Sequence, residues 1–296
     1  MGDSLTSLPP SRTDSPATGA ASPSASAPAT ASASPSASAS TSGVSTPKGP
    51  AKKEVKILML HGYTQSGSMF RAKTRAVEKL LVKALAPAGL VPALFYPTGP
   101  TRLRVEDIPG YEPTETTPTE IESWAWFRKH DATNTYRGLV EAIGEARKGS
   151  EGGEEGGFVD GVVGFSQGGC MAAILAAAME GSHQPTEECE EWVKAVREAN
   201  GGRPLRFAVS YSGFYATPDD LTWLYRPKIA TPTLHILGGQ DTVVDEDRSQ
   251  GLIERCENPA VVTHPGGHHV PVARQWVMPV AAFIHKCMAE GDQGKL

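Results

Sequence analysis

The run Val162-Val163-Gly164-Phe165-Ser166-Gln167-Gly168-Gly169 leaves this chain few folds to choose from. β-Branched apolar residues lead straight into Gly-x-Ser-x-Gly, and a helix rich in alanine follows at once. That order is the sequence form of a strand–turn–helix elbow, which lifts a serine hydroxyl clear of the edge of a sheet. The serine backbone in such a turn is strained. Gly164 and Gly168 flank it where a side chain would collide with the adjoining strand and helix. A glycine-rich β–α turn with an incidental serine is the plain alternative, and the apolar strand before it and the small-residue helix after it weigh against that.

Around the elbow, short apolar runs alternate with helical patterns. Strands are expected at 55–60, 91–96, 158–165, 207–211, 233–237 and 260–263. Helices are expected at 69–86, 167–180, 187–199, 244–256 and 271–289. One more should carry Tyr136, Leu139, Val140 and Ile143 on a single face. The strands lack polar alternation, which calls for a mostly parallel, doubly wound α/β sheet flanked by helices. In such a sheet, sites form beyond the carboxyl ends of the strands. The polar, Pro-punctuated stretch 98–119 is too long for an ordinary βα connection and is expected to be a lid or binding loop.

Composition divides the chain. Residues 1–53 are almost wholly Ser, Ala, Pro, Thr and Gly, with no aromatic residue, and are expected to be a disordered tail. The tail lacks the apolar stretch of a secretory signal and the arginines of a transit peptide. Residues 54–296 are expected to form one domain with a sizeable core. They hold 24 basic and 31 acidic residues, a net of −7. That sign disfavours nucleic acid and anionic membrane as partners. No apolar run is long enough to span a bilayer. Cys170, Cys189, Cys256 and Cys287 show no metal-ligand spacing, so reduced structural thiols and a cytoplasmic setting are expected.

A serine hydroxyl needs an adjacent base, itself oriented by an acid. Asp241 follows the strand at 233–237 in Gly-Gly-Gln-Asp-Thr-Val-Val, and His268 follows that at 260–263 in His-Pro-Gly-Gly-His-His-Val-Pro. The glycine pair ahead of each should let its loop turn tightly and bring the side chain to Ser166. Two alternatives stand. Asp241 could merely cap a helix beginning near Val244, and His269 competes with His268. His268 is preferred because it comes directly after the Gly-Gly turn. Charge on a substrate carbonyl oxygen needs preorganised donors. The Gln167 N–H, at the positive end of its helix, is one candidate. The Tyr63 N–H, in the loop His61-Gly62-Tyr63-Thr64-Gln65-Ser66, is the other. Trp124, Trp126, Phe214 and Tyr215 either line an acyl pocket or belong to the core. The remaining histidines assemble no metal site.

Five separated motifs then agree in order: Leu60-His61-Gly62-Tyr63-Thr64-Gln65-Ser66-Gly67, Gly164-Phe165-Ser166-Gln167-Gly168-Gly169, Tyr211-Ser212-Gly213-Phe214, Gly239-Gln240-Asp241 and Gly266-Gly267-His268-His269-Val270-Pro271. Over 54–290 the chain resembles the fungal family of serine hydrolases, which includes the animal ovarian-cancer-associated esterase-like proteins. The resemblance implies an α/β-hydrolase fold with Ser166 as nucleophile, Asp241 as acid and His268 as base. It also implies cofactor-free carboxylesterase or thioesterase action on a small acyl ester or thioester. Several fungal relatives release acyl chains from a carrier protein. A peptidase or lipase on the same fold, and a catalytically silent binding module, are the rival readings.

Overall fold

Alternation along the first strand decides how the sheet is covered. β1 (Lys53–Leu60) sends Val55, Ile57 and Met59 to one apolar cluster and Leu58 and Leu60 to the other, all essentially unexposed. A strand buried on both faces belongs in the interior of a helix-covered parallel sheet. The computed structural model describes residues 52–110, 122–128, 135–148 and 157–293. The tail as far as residue 51, and residues 111–119 of the expected lid, lie outside the described residues.

Beyond β1 the chain forms α1 (Gly67–Leu85), β2 (Leu90–Phe95), β3 (Thr101–Arg102), β4 (Trp124–Ala125) and α2 (Thr135–Lys148). It continues through β5 (Gly161–Phe165), α3 (Gln167–Glu180), α4 (Glu187–Ala199) and β6 (Phe207–Tyr211). β7 (Thr233–Gly238), α5 (Glu246–Ile253), β8 (Ala260–His264) and α6 (Arg274–Gln293) complete it. Six strands pair in the order β2-β1-β5-β6-β7-β8, every neighbour parallel. Phe70, Val77 and Leu81 of α1 and Val277, Val280 and Ile284 of α6 cover one face. Leu139 and Ile143 of α2, the residues of α3 and Val193 of α4 cover the other. This is the α/β-hydrolase architecture. The strand order reverses between β1 and β5, and the loops beyond their carboxyl ends flank the crevice where such sheets bind ligands. No described helix is long and apolar enough to cross a membrane.

Three elements differ from expectation for identifiable reasons. β5 begins at Gly161 rather than 158. The Asn200 side chain accepts from the Val159 N–H at 2.9 Å and donates to its carbonyl at 3.2 Å, replacing the ladder there. The long loop contains β3, which pairs antiparallel with β4 just beyond it, Arg102 opposite Trp124. α5 is shorter than expected, starting at Glu246 behind Asp245.

His61 and His235 are among the histidines sealed inside this fold. His61 is 0% and His235 2% exposed, and burial lowers each pKa to about 4. The unfolded chain takes up these protons near pH 6.5. Stability contributed by the neutral rings is therefore full above pH 6.5 and declines as pH falls towards 4. The expected loss is at most about 3 kcal/mol per ring. Urea midpoints measured from pH 7.5 to 4.5 should fall, and His235→Gln should flatten the fall. A midpoint equally pH-dependent in parent and variant would contradict this account.

Candidate active site

Ser166 sits between β5 and α3 with φ 54° and ψ −115°, a conformation that L-residues rarely adopt. Its N–H donates to the Tyr211 carbonyl at 2.8 Å, which anchors the turn to the neighbouring strand. A Cβ on Gly164 would overlap the Gly168 carbonyl, and one on Gly168 would overlap the Leu60 carbonyl. The two glycines therefore permit close approach rather than an unusual backbone, as neither has a positive φ. Every residue of α3 except Glu180 is buried, so only a helix of small and apolar side chains fits beneath the serine.

Asp241 and His268 come together. Asp241 follows β7, His268 follows β8, and Oδ2 lies 2.7 Å from Nδ1. The other carboxylate oxygen accepts the Val243 and Val244 N–H groups at 2.9 and 3.0 Å. The capping and imidazole-orienting readings of Asp241 thus use different oxygens of the same group. Burial acts to raise its pKa. The His268 bond, the two amides and the nearby Ser212 hydroxyl outweigh that and hold it below the usual carboxylate range. Ser212 itself is buried, at φ 46°, with no hydrogen bond of good geometry from its hydroxyl. The glycine pairs act by contact. Gly238 abuts the Gly266 and Gly267 carbonyls, Gly239 N–H donates to His264 O at 2.7 Å, and Gln240 N–H to Gly266 O at 3.0 Å. His269 turns away and packs edge-on against His264, ring centroids 5.0 Å apart.

The His268 ring rests 4.8 Å, centroid to centroid, from that of Phe165, the residue before the serine. The Ser166 hydroxyl makes no hydrogen bond to His268 or to any other described residue. Catalytic hydrogen bonds of this kind are often long before substrate is bound. On the other side of Ser166, Leu60 of β1 pairs with Gly164, so the loop carrying Tyr63 runs beside the elbow. Neither the Tyr63 nor the Gln167 N–H donates to another described residue. Beneath that loop, the Gly99 N–H donates to His61 Nε2 at 2.8 Å. This leaves Nδ1 protonated and donating to the Gly62 carbonyl at 2.8 Å. A neutral, doubly anchored imidazole thus supports the chain just ahead of Tyr63.

The aromatic candidates separate. Trp126 is 0% exposed, so it is a core residue rather than a pocket wall. Trp124 lies under the Arg102 guanidinium, 5.6 Å from the ring centre. Phe214 and Tyr215 are partly buried beneath Arg248 and Arg255, at 4.1 and 3.9 Å. None of the four lines either of two surface cavities of about 760 and 470 Å³, and neither cavity touches Ser166, Asp241 or His268. Sequence reasoning singled out the Gln167 main chain but missed its side chain. Buried at 5% exposure, it binds two backbone groups of the Trp126–Phe127 segment. A polar residue inside an otherwise small-residue helix was the available signal.

Residues 51–280 match the model of the family described as serine hydrolase (FSH1), and the chain belongs to that family. It is 31% identical over 242 residues to Family of serine hydrolases 2 of Saccharomyces cerevisiae, covering 78% of this chain and 97% of that one. It is 30% identical over 227 residues to Esterase OVCA2 of Danio rerio, covering 74% and 91%. A Schizosaccharomyces pombe protein named dihydrofolate reductase is 34% identical over 225 residues, or 74% of this chain. The chain spans only 44% of that protein and 50% of a second relative from the same yeast.

Proposed function

We propose that this protein is a cofactor-free serine hydrolase that cleaves carboxylic esters or thioesters through an acyl-enzyme. The observation that carries the proposal is the 2.7 Å His268–Asp241 bond, formed beside a serine held at φ 54°. Ser166 Oγ attacks the carbonyl carbon while His268 Nε2 takes its proton. The Tyr63 and Gln167 N–H groups receive the oxyanion. Collapse expels the alcohol or thiol, which leaves with the proton from His268. Water then enters by the same route in reverse order, releasing the acid and restoring Ser166. Asp241 fixes the imidazole tautomer and stabilises the imidazolium. The four buried free thiols suit a reducing cytoplasmic setting.

The test is turnover of p-nitrophenyl esters with acyl chains from two to sixteen carbons, beside matched N-acetylcysteamine thioesters that mimic a carrier-protein arm. Hydrolysis with a chain-length optimum supports the proposal, and a thioester preference supports acyl release from a carrier. No turnover with either series would favour the silent binding module. Asp241→Asn offers the imidazole an amide and permits the wrong tautomer. It should lower kcat by roughly 10³–10⁴-fold with little change in KM. An Asp241→Asn enzyme as active as the parent would remove Asp241 from the mechanism.

A further inference from the structure

The two proposed oxyanion donors stand on different elements, the loop leaving β1 and the first turn of α3, and a third segment touches the supports of both. Gln167 Oε1 accepts the Trp126 N–H at 2.8 Å, and Gln167 Nε2 donates to the Phe127 carbonyl at 2.7 Å. From the same segment, the Trp126 indole Nε1–H donates to the His61 carbonyl at 3.0 Å. Gln65, two residues past Tyr63, bridges antiparallel to Trp124. Thr135 Oγ1 donates to the Trp126 carbonyl at 2.8 Å, so the remaining backbone acceptor there is also engaged. The centre of this network is sealed: Gln167 is 5% exposed, and His61 and Trp126 are 0% exposed.

We propose that the Gln167 carboxamide is a positioning residue that acts through Trp126. By gripping the Trp126–Phe127 backbone, it braces the His61–Gln65 loop against the elbow and so sets the spacing between the Tyr63 and Gln167 N–H groups. The inference rests on the hydrolase reading above. One residue then serves the oxyanion twice, its N–H as donor and its side chain as spacer. A donor displaced by about 1 Å loses most of its effect on a developing charge, because transition-state stabilisation depends on preorganised geometry. The two hydrogen bonds hold the backbone in both directions, which an apolar side chain of the same length cannot do.

Gln167→Met, Trp126→Phe and the double variant test this in the full chain. Active sites are titrated with a fluorophosphonate carried to completion, so that misfolded protein drops out of the count. Per titrated site, Gln167→Met should lower kcat about 30-fold with KM within about threefold of the parent. Trp126→Phe, which keeps the ring but removes its donor, should lower kcat about fivefold. The double variant should fall little further than Gln167→Met, since both cut one chain of contacts. Affinity for an alkyl trifluoromethyl ketone, whose adduct places an oxyanion in the hole, should weaken in proportion to kcat/KM. A side chain that merely satisfies buried polar groups would lower stability but leave kcat per site within twofold of the parent, and that result overturns the proposal. Independently of turnover, the Trp126 amide should exchange with solvent at least tenfold faster in Gln167→Met. Unchanged Trp126 protection would equally overturn it. A parent inactive on every ester and thioester would instead indict the hydrolase reading, while the exchange result still judges the brace.

Discussion

Ser166→Ala should lose ester turnover by about four orders of magnitude or more and should no longer be labelled by a fluorophosphonate probe. The size follows from what the oxygen does. Without it no acyl-enzyme forms, and only oxyanion binding and substrate positioning remain, which alone give a small residual rate. The variant should still fold, because the hydroxyl makes no hydrogen bond to a described residue and Ala fits the same space. A companion change separates chemistry from backbone strain. Ser166 is held at φ 54°, where a Cβ is disfavoured. Ser166→Gly should therefore be as inactive as Ser166→Ala yet more stable by about 1 kcal/mol. Undiminished labelling of Ser166→Ala would exclude this serine as the nucleophile, and a Ser166→Gly protein less stable than Ser166→Ala would contradict the strain.

Gly168→Ala should be among the most damaging methyl groups that can be added at a described glycine. Its Cβ would overlap the Leu60 carbonyl and lie 2.7 Å from that of His61, both backbone atoms of the central strand β1 and the loop leaving it. Backbone cannot step aside as a flexible side chain can. Overpacking of this kind costs about 3 kcal/mol, roughly 6–12 °C in Tm for a domain of this size. The push also separates β1 from the elbow, and with it Tyr63 from Gln167. Activity per folded molecule should consequently fall about 100-fold. Gly144→Ala supplies the control. That glycine lies inside α2 with nothing within 4 Å of an added Cβ, so the exchange should raise stability by about 0.5–1 kcal/mol. Calorimetry and active-site titration measure both effects. A Gly168→Ala protein that melts with the parent would refute the packing described for the elbow.

Much of this molecule can be read from local patterns, because the interior strands β1, β5 and β6 are largely buried on both faces and the helices between the strands are amphipathic or wholly apolar. The order Ser166, Asp241, His268 is legible because each residue comes at or shortly after the end of a strand of the sheet. The preference for His268 over His269 rests on its place directly after Gly266-Gly267, and His268 is the one bonded to Asp241. What escaped the sequence depends on contacts remote along the chain. Asn200 shortens β5 from 41 positions away by capturing the main chain of Val159. Thr101–Arg102 and Trp124–Ala125 are two-residue strands with no periodicity to detect. Less legible is the close approach of the two loops at Gly238, which has no positive φ but whose Cβ would overlap the Gly267 carbonyl. Trp126, a candidate for the pocket, is core because its indole is tied down by a carbonyl of β1's own exit loop.

One property of α3 bears on how relatives of this chain diversify. A cylinder packed on all sides, carrying the proposed nucleophile at its tip, tolerates almost no enlargement of its thirteen buried residues without moving the Ser166 oxygen. Substitutions that alter substrate preference without loss of stability should therefore fall in the peripheral loops rather than in α3. Directed evolution of this scaffold should accordingly randomise the rim and leave the alanines alone.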